Sequence, residues 1–527
     1  MTALDLEHAV GQHLLLAFHG KDRLPAEILS AIQAYRPGGF TLFRSLNIEN
    51  PAQVRELTGE LQRAARAADL PPLLIAADQE GGQLMAIGDG VTQLPGNMAL
   101  GAAGSPELAR RAGLVLGTEL AAMGINVNYA PCCDVNNNPR NPVIGIRSFG
   151  ENPQQVGQLA AAVVDGIQSA GVAAAAKHFP GHGDTAGDSH HSLPSVPHSL
   201  ERLRSVELPP FGAAIQAGVR LVMTAHLALP ALDGPAAPPA TLSPTVLEGL
   251  LRGELGFAGV IVTDSMEMQA VRQDGDLGGQ AVRAIQAGAD LLLMASDAED
   301  HREVFSALLR AAKSGGLERA KLDASRKRIE ALRGWLNDGP PAPGLEVIGC
   351  AAHREVADEI AGRSITLVRD RAGLLPLRVA NGKRLAVIIP TPLDLTPADT
   401  SSYVLPALAP ALRRHYPSVD EFVLPHAPTE GNIAALLPRL PGYDTVIIGT
   451  LNAFNEPAQV TLVREALKVN ARTVVVAMRL PYDLSAFPEA PTCLCTYSIL
   501  EPSMRATAAA LFGAREFEGK LPVGISF

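Results

Sequence analysis

The chain has 527 residues, 47% hydrophobic and 19% charged, enough apolar material for a large core in two or three domains. Its formal net charge of −10 argues against a general affinity for nucleic acid or anionic membranes. No stretch approaches the ~20 apolar residues that a bilayer span requires, so the expected partner is a small molecule, with no nucleic acid and no membrane.

The opening stretch, MTALDLEHAVGQHLLLAFHG, is acidic where an export signal is basic, and its short apolar run is interrupted by His13. This predicts a cytoplasmic protein. Short apolar runs then alternate with helical patterns. The runs are HLLLAF, GGFTLF, PPLLIAAD, INVNYAP, VAAAAKH, VRLVMTAH, AGVIVTD and ADLLLMAS. Most are continuous, as in strands buried on both faces of a parallel sheet. Segments such as PAQVRELTGELQRAARAAD and SPELARRAGLVLGTELAAMG carry the helical period between them. Eight strands with intervening helices predict a (β/α)8 barrel over residues 1–337, with a doubly wound open sheet as the structural competitor.

A charged helical stretch, LERAKLDASRKRIEALRGWL, leads into DGPPAPG, where prolines and glycines cannot continue a helix. Residues 338–346 are therefore read as a linker. In residues 347–527 the runs RLAVIIP, TVIIGT and RTVVVAM and the helix ATAAALFG predict a smaller α/β layered domain. Five cysteines without zinc-ribbon spacing read as reduced thiols; Cys493 and Cys495 alternate as on a strand. Neither half contains a GxGxxG or Walker motif, so no nucleotide cofactor is expected.

Five of the eight barrel runs end in polar or ionisable groups: Asp78; Asn128 and Asp134; Lys177 and His178; His226; and Asp264. Barrel enzymes place reacting groups at these C-terminal strand ends. The fifth run continues into KHFPGHGDTAGDSHHSLP. From the residues alone this stretch is a metal site, an acid–base loop or a solvated histidine loop. His178 and His182 have helical spacing, but Pro180, Gly181 and Gly183 oppose a helix, and HExxH is absent. Asp188 and His190 stand two apart, on one side of an extended segment. There the carboxylate can fix the imidazole tautomer and raise its basicity. With Asp264 as a nucleophile, the set meets the minimum for retaining glycoside hydrolysis.

At these residues the chain resembles the β-N-acetylglucosaminidase branch of glycoside hydrolase family 3. The resemblance runs through LIAADQEGG, APCCDVNNNPRNPVIGIRSFG, KHFPGHGDT, DSHHSLP and LRGELGFAGVIVTDSMEM, then SITLVRDRAGLLPL and LFGAREFEGKLPVGIS. It implies a barrel followed by an α/β sandwich. It implies Asp264 as the nucleophile, His190 as the acid/base and Asp188 as its orienting partner. Asp78, Arg147, Lys177 and His178 match sugar-binding positions. His226 is counted with them as a strand-end group, with a satisfied core histidine as the alternative. No metal or organic cofactor is implied. The loop glycines predict a lid that carries His190 over bound substrate.

His182 is expected to hold the loop shut, Asp184 to cap it, and His191 and His198 to be solvated. Glu267 reads equally as a pocket or a helix-start residue, and Met266 and Met268 as wall or core. Tyr482 and Asp483 read as structural, and Asn455 sits in a loop that either approaches the barrel mouth or turns the chain. One departure concerns the aglycone side: Gln83 follows DQEGG where the family often has arginine. The expected activity is retaining exo-hydrolysis of terminal β-linked GlcNAc from muropeptides or chito-oligosaccharides, by a monomer or homodimer. A β-N-acetylglucosaminide phosphorylase using the same residues is the near alternative, since an imidazole acid repels phosphate less than a carboxylate. A sugar-binding protein without catalysis is the distant one.

Overall fold

The computed structural model describes residues 3–272 and 275–526. All eight predicted barrel runs are strands: β1 (Leu14–Leu16), β2 (Gly39–Leu42), β3 (Leu74–Ala77), β4 (Val127–Asn128), β5 (Ala173–Phe179), β6 (Leu221–Thr224), β7 (Val260–Thr263) and β8 (Leu292–Leu293). They pair in parallel in the order β8-β1-β2-β3-β4-β5-β6-β7. The bridge Val262–Leu291 and the bond from Thr263 N to Leu291 O bring β7 back to the start of β8 and close the ring. Closure removes the doubly wound alternative.

Local sequence sets the surrounding helices. Helices Pro51–Ala67, Pro106–Ala122 and Pro153–Ser169 each have proline at their first position. Each is capped by the preceding side chain, Asn50, Ser105 or Asn152, which accepts from a first-turn N–H. Inside the ring, Leu15, Leu74, Val127, Leu221, Val260 and their neighbours form a core distinct from the one under the helices. Helix Arg319–Asn337 closes the ring's N-terminal end with Ile329 and Leu332. From the same helix, Arg333 donates to Pro72 O and Gly38 O, just before β3 and β2. These contacts close the floor of the barrel.

The second domain carries a six-stranded sheet: β9 (Thr366–Asp370), β10 (Leu385–Pro390), β11 (Val419–Leu424), β12 (Thr445–Thr450), β13 (Thr473–Ala477) and β14 (Thr492–Cys495), in the order β9-β14-β13-β12-β10-β11. All pairs are parallel except β9 with β14. The sequence pattern marks β10, β12 and β13 and the alternation of Cys493 and Cys495, but not β9 or β11. Those two are the edges, and Asp420 and Glu421 interrupt the apolar run of β11, whose Val423 is 50% exposed. The fold is a TIM-like barrel followed by an α/β sandwich.

Polar contacts seat the second domain on the barrel. Glu119 accepts from Thr92 Oγ1 within the barrel and from Gly349 N and His353 Nδ1 across the junction. Asn136, past β4, donates to Tyr482 Oη at 3.1 Å. Among the described residues, no helix is long and apolar enough to cross a membrane.

Candidate active site

The barrel's open end is a cleft of about 660 Å³. Of the eight sequence-predicted site residues, Asp78, Arg147, Lys177, His178, His190 and Asp264 line it, and Asp188 stands directly behind His190.

The polar wall is an alternating charge network. Lys177, at the end of β5, is 1% exposed and places Nζ 2.6 Å from Asp78 Oδ1 and 2.7 Å from Glu80 Oε1. Glu80 also takes two bonds from Arg147, to Oε1 at 2.8 Å and Oε2 at 3.1 Å. Burial alone would raise the Glu80 carboxyl, but Arg147 and Lys177 outweigh it and hold it at about 2. Burial likewise disfavours both cations, and their acidic partners raise them above their ordinary values. Glu80, Arg147 and Lys177 are therefore all ionised at neutral pH. Asp78 is the network's exposed end at 22% and is free to turn an oxygen toward a ligand hydroxyl.

His178 is fixed by the chain behind it. Its Nδ1 is 2.7 Å from Asp134 Oδ2, and Arg147 Nη2 is 3.3 Å from its Nε2. A guanidinium only donates, so Nε2 accepts and the proton sits on Nδ1. Asp134 also accepts from the backbone of His178 and His182 and from Cys132 Sγ. Its carboxyl, which burial alone would raise, is held well below the usual range by His178, His182 and these bonds. All five cysteines are thiols.

The loop after β5 brings Asp188 and His190 together. Asp188 Oδ1 accepts from His190 Nδ1 at 2.5 Å and from His190 N at 2.9 Å. This leaves Nε2 for the cleft, with the His190 side chain 24% exposed. Burial would lower the His190 pKa, but the Asp188 bond and the charges of Asp264 and Asp188 raise it. Asp188 is lowered in turn, the bonds from His190 outweighing its burial.

The loop is tied inward. His182 bonds Thr185 Oγ1 at 2.7 Å and Ser189 Oγ at 3.1 Å, as expected of a residue that holds the loop shut, and it also borders the cleft. Burial, the largest influence on its ring, lowers its pKa to about 4. From the β4 side, Asn141 Nδ2 donates to the carbonyls of His182 and Thr185.

Asp264 follows β7, with Oδ1 accepting from Ser265 N at 2.8 Å. Burial would raise its carboxyl, but His226, His178, His190 and the Ser265 N–H hold it below the ordinary value. It is ionised at neutral pH and available as a nucleophile.

His226 is placed differently from the substrate-binding reading. It is 0% exposed and does not border the cleft. Both ring nitrogens are used, Nδ1 with Thr241 Oγ1 at 2.7 Å and Nε2 with Ser265 O at 2.9 Å. It is a satisfied core histidine that braces the residue after Asp264. Burial lowers its pKa. Asn128 is also structural, exchanging bonds with the backbone of Gln79. His198 is not simply solvated: it pairs with Asp184 Oδ2 at 2.5 Å. Met268 borders the cleft, and so does Glu267, whose carboxyl is pushed up to about 7 chiefly by burial.

Two contributors escaped the sequence reading. Glu80 had a usable signal, since it stands two residues from Asp78 and an extended segment turns both toward one partner. The second had none: residues 394–403 of the second domain form the outer wall of the cleft with Asp394, Thr396 and Tyr403. Gln83 anchors this wall. Its Nε2 donates to Ala398 O at 3.2 Å, its backbone carbonyl accepts from Thr400 N and Oγ1, and its Oε1 accepts from Arg479. Arg479 also pairs with Asp399 at 2.9 Å. A guanidinium from the second domain thus meets the position where the barrel motif departs from arginine. Asn455 lies outside the cleft, and Asp483 accepts from Thr450 Oγ1 and Phe454 N within its own domain.

The family model described as "Glycosyl hydrolase family 3 N terminal domain" matches residues 6–332. The chain is similar to "Beta-hexosaminidase A" of Pseudoalteromonas piscicida, with 32% identity over 95% of this chain and 92% of that protein. A solved glycoside hydrolase family 3 β-N-acetylglucosaminidase from Paenibacillus sp. FPU-7 superposes with a TM-score of 0.93 at 39% identity, covering 98% of both chains. A β-glucoside phosphorylase structure aligns with a TM-score of 0.82 at 26% identity, over 98% of this chain and 94% of that one.

Proposed function

The chain belongs to glycosyl hydrolase family 3, and from that premise we propose that it is a retaining exo-β-N-acetylglucosaminidase acting on muropeptides or chito-oligosaccharides. It is a glycoside hydrolase of N-acetylhexosamine. The observation that carries the finer reading is one cleft bordered by an ionised carboxylate, Asp264, and by an imidazole, His190, held by Asp188 at 2.5 Å.

In the first step, Asp264 attacks the anomeric carbon as His190 delivers a proton to the glycosidic oxygen. The carbon–oxygen bond breaks, the aglycone leaves as an alcohol, and a glycosyl ester forms on Asp264. In the second step, His190 takes a proton from water, the water oxygen attacks the same carbon, and Asp264 is released. Two displacements leave the β configuration unchanged. Asp188 stabilises the imidazolium that forms in the second step. Asp78, Lys177, Arg147 and His178 form the deep end of the cleft and suit the hydroxyls of one terminal sugar. The sealed barrel floor beneath them supports removal of single end residues.

A phosphorylase is the second reading. It is favoured by the imidazole acid, which opposes an approaching phosphate less than a carboxylate does, and by the likeness to a β-glucoside phosphorylase. The deciding experiment is release of 4-nitrophenol from its β-N-acetylglucosaminide with and without phosphate, the sugar product being identified by mass. Free GlcNAc in both buffers supports the hydrolase, and GlcNAc-1-phosphate as the main product replaces it with the phosphorylase. No turnover on this or any β-N-acetylhexosaminide refutes both and returns the distant reading of a binding protein.

A further inference from the structure

At the base of the acid/base loop, three side chains that the proposed catalysis does not use converge. Asp184 belongs to the loop, His198 follows it, and Glu207 precedes helix Pro209–Gln216. One ligand-capable atom from each lies within 4.8 Å of the other two. None of the three borders the catalytic cleft.

Glu207 sets this cluster apart from an ordinary surface group of acids. It is 3% exposed, and neither carboxylate oxygen has a hydrogen-bond partner among the described residues. The cation beside it is loosely placed: Arg202 Nη2 is 3.5 Å from Glu207 Oε1 and 3.5 Å from Asp184 Oδ2. A buried carboxylate with so distant a partner carries a desolvation cost that the pair does not offset. His198 Nε2, 2.5 Å from Asp184 Oδ2, completes a set of two carboxylate oxygens and one imidazole nitrogen.

We propose that Asp184, His198 and Glu207 form a non-catalytic site for a divalent transition-metal ion of the zinc type. Mixed imidazole and carboxylate donors suit zinc and its neighbours, whereas calcium and magnesium prefer oxygen alone. The ion displaces Arg202, which is 31% exposed and has room to turn outward. It reaches the site past Asp184 and His198, which are 21% and 30% exposed. Its effect is on the loop. Gly181 adopts φ +129, and a Cβ there would stand 2.8 Å from Glu207 Cβ, so the start of the loop rests on Glu207 itself. A metal on Glu207 and Asp184 pins the loop on the near side of Asp188 and His190.

The test uses the full-length chain after chelation and dialysis, titrated with zinc chloride alone by calorimetry. Thermal unfolding is followed in parallel, and anomalous scattering from zinc-soaked crystals locates the ion. The expected result is saturable binding with an anomalous peak among the three residues, weakened at least about tenfold by Glu207→Gln or Asp184→Asn. Arg202→Ala keeps every ligand and removes the competing cation, so it should tighten zinc binding. This variant keeps the test decisive if Glu207→Gln does not fold. The proposal is overturned by absence of saturable binding, by a peak only at the Asp188–His190 pair, or by an Arg202→Ala protein that binds zinc no more tightly than the parent.

Discussion

Replacing Glu80 by glutamine preserves its shape and removes one negative charge from between two buried cations. The carboxyl is held at about 2 against an ordinary value of 4.5, with a side chain only 1% exposed. At about 1.4 kcal/mol per tenfold change in proton affinity, that depression corresponds to about 3 kcal/mol. The cost of breaking a buried ion pair from one side, about 3–5 kcal/mol, agrees. A lowered carboxyl stabilises fully above its unfolded value and loses the contribution as pH falls through its folded one. The Glu80 contribution is therefore complete at pH 7 and disappears between about 4.5 and about 2. For a barrel the size of residues 6–332, an unfolding entropy of about 0.7 kcal/mol/K turns the loss into a fall in Tm of about 5 °C. KM should rise as well, because Lys177 and Arg147 lose the anion that aims them. Differential scanning calorimetry at pH 7, with steady-state kinetics on the 4-nitrophenyl glycoside, checks both. A Tm within 1 °C of the parent with an unchanged KM would refute the claim that Glu80 organises the wall.

Further outcomes follow from the same geometry. Asp264→Ala should reduce turnover to background on every glycoside, with the 4-nitrophenyl and natural substrates affected alike. His190→Ala should cost about 10²–10⁴-fold on poor leaving groups and far less on 4-nitrophenol, while Asp188→Asn, by replacing the carboxylate that raises His190 with a neutral amide, should move the alkaline limb of kcat/KM to lower pH. Glu267, raised to about 7 chiefly by burial, is neutral in the fold and must ionise against that burial above pH 7. Its presence thus weakens the fold as pH rises from about 4.5 through about 7, so Glu267→Gln should match the parent at pH 4 and exceed it by on the order of 1–3 kcal/mol at pH 8 in denaturant unfolding. Gln83→Ala, which keeps the carbonyl bonds to Thr400 but removes the side-chain bonds to Ala398 and Arg479, should loosen the 394–403 wall and raise KM for chito-oligosaccharides more than for the 4-nitrophenyl glycoside, an ordering that equal changes would contradict.

The barrel was legible because its strands are buried on both faces and leave continuous apolar runs; β7, VIVT, is an example. The edge strand β11, VDEFVL, is interrupted by two acids and leaves no such trace. Strand-end chemistry was legible for the same geometric reason, since Lys177, His178 and Asp264 follow directly from where their strands stop. His226 obeys the same rule and yet faces the core, because Thr241 and Ser265 O take both ring nitrogens and neither partner is near it in sequence. The 394–403 wall was not legible at all. Its contact with Gln83 spans more than three hundred residues, and its composition marks only a turn-rich loop.

That wall has a thermodynamic reading. The cleft is bounded by groups on two domains that share a continuous apolar core, and Gln83, Thr400 and Arg479 link them at its rim. Any ligand that touches both sides must favour the docked arrangement by the same factor by which docking favours the ligand, since coupling free energy is reciprocal. The affinity for a long glycan that docking adds and the tightness of the domain junction that the glycan adds are then two measurements of one quantity.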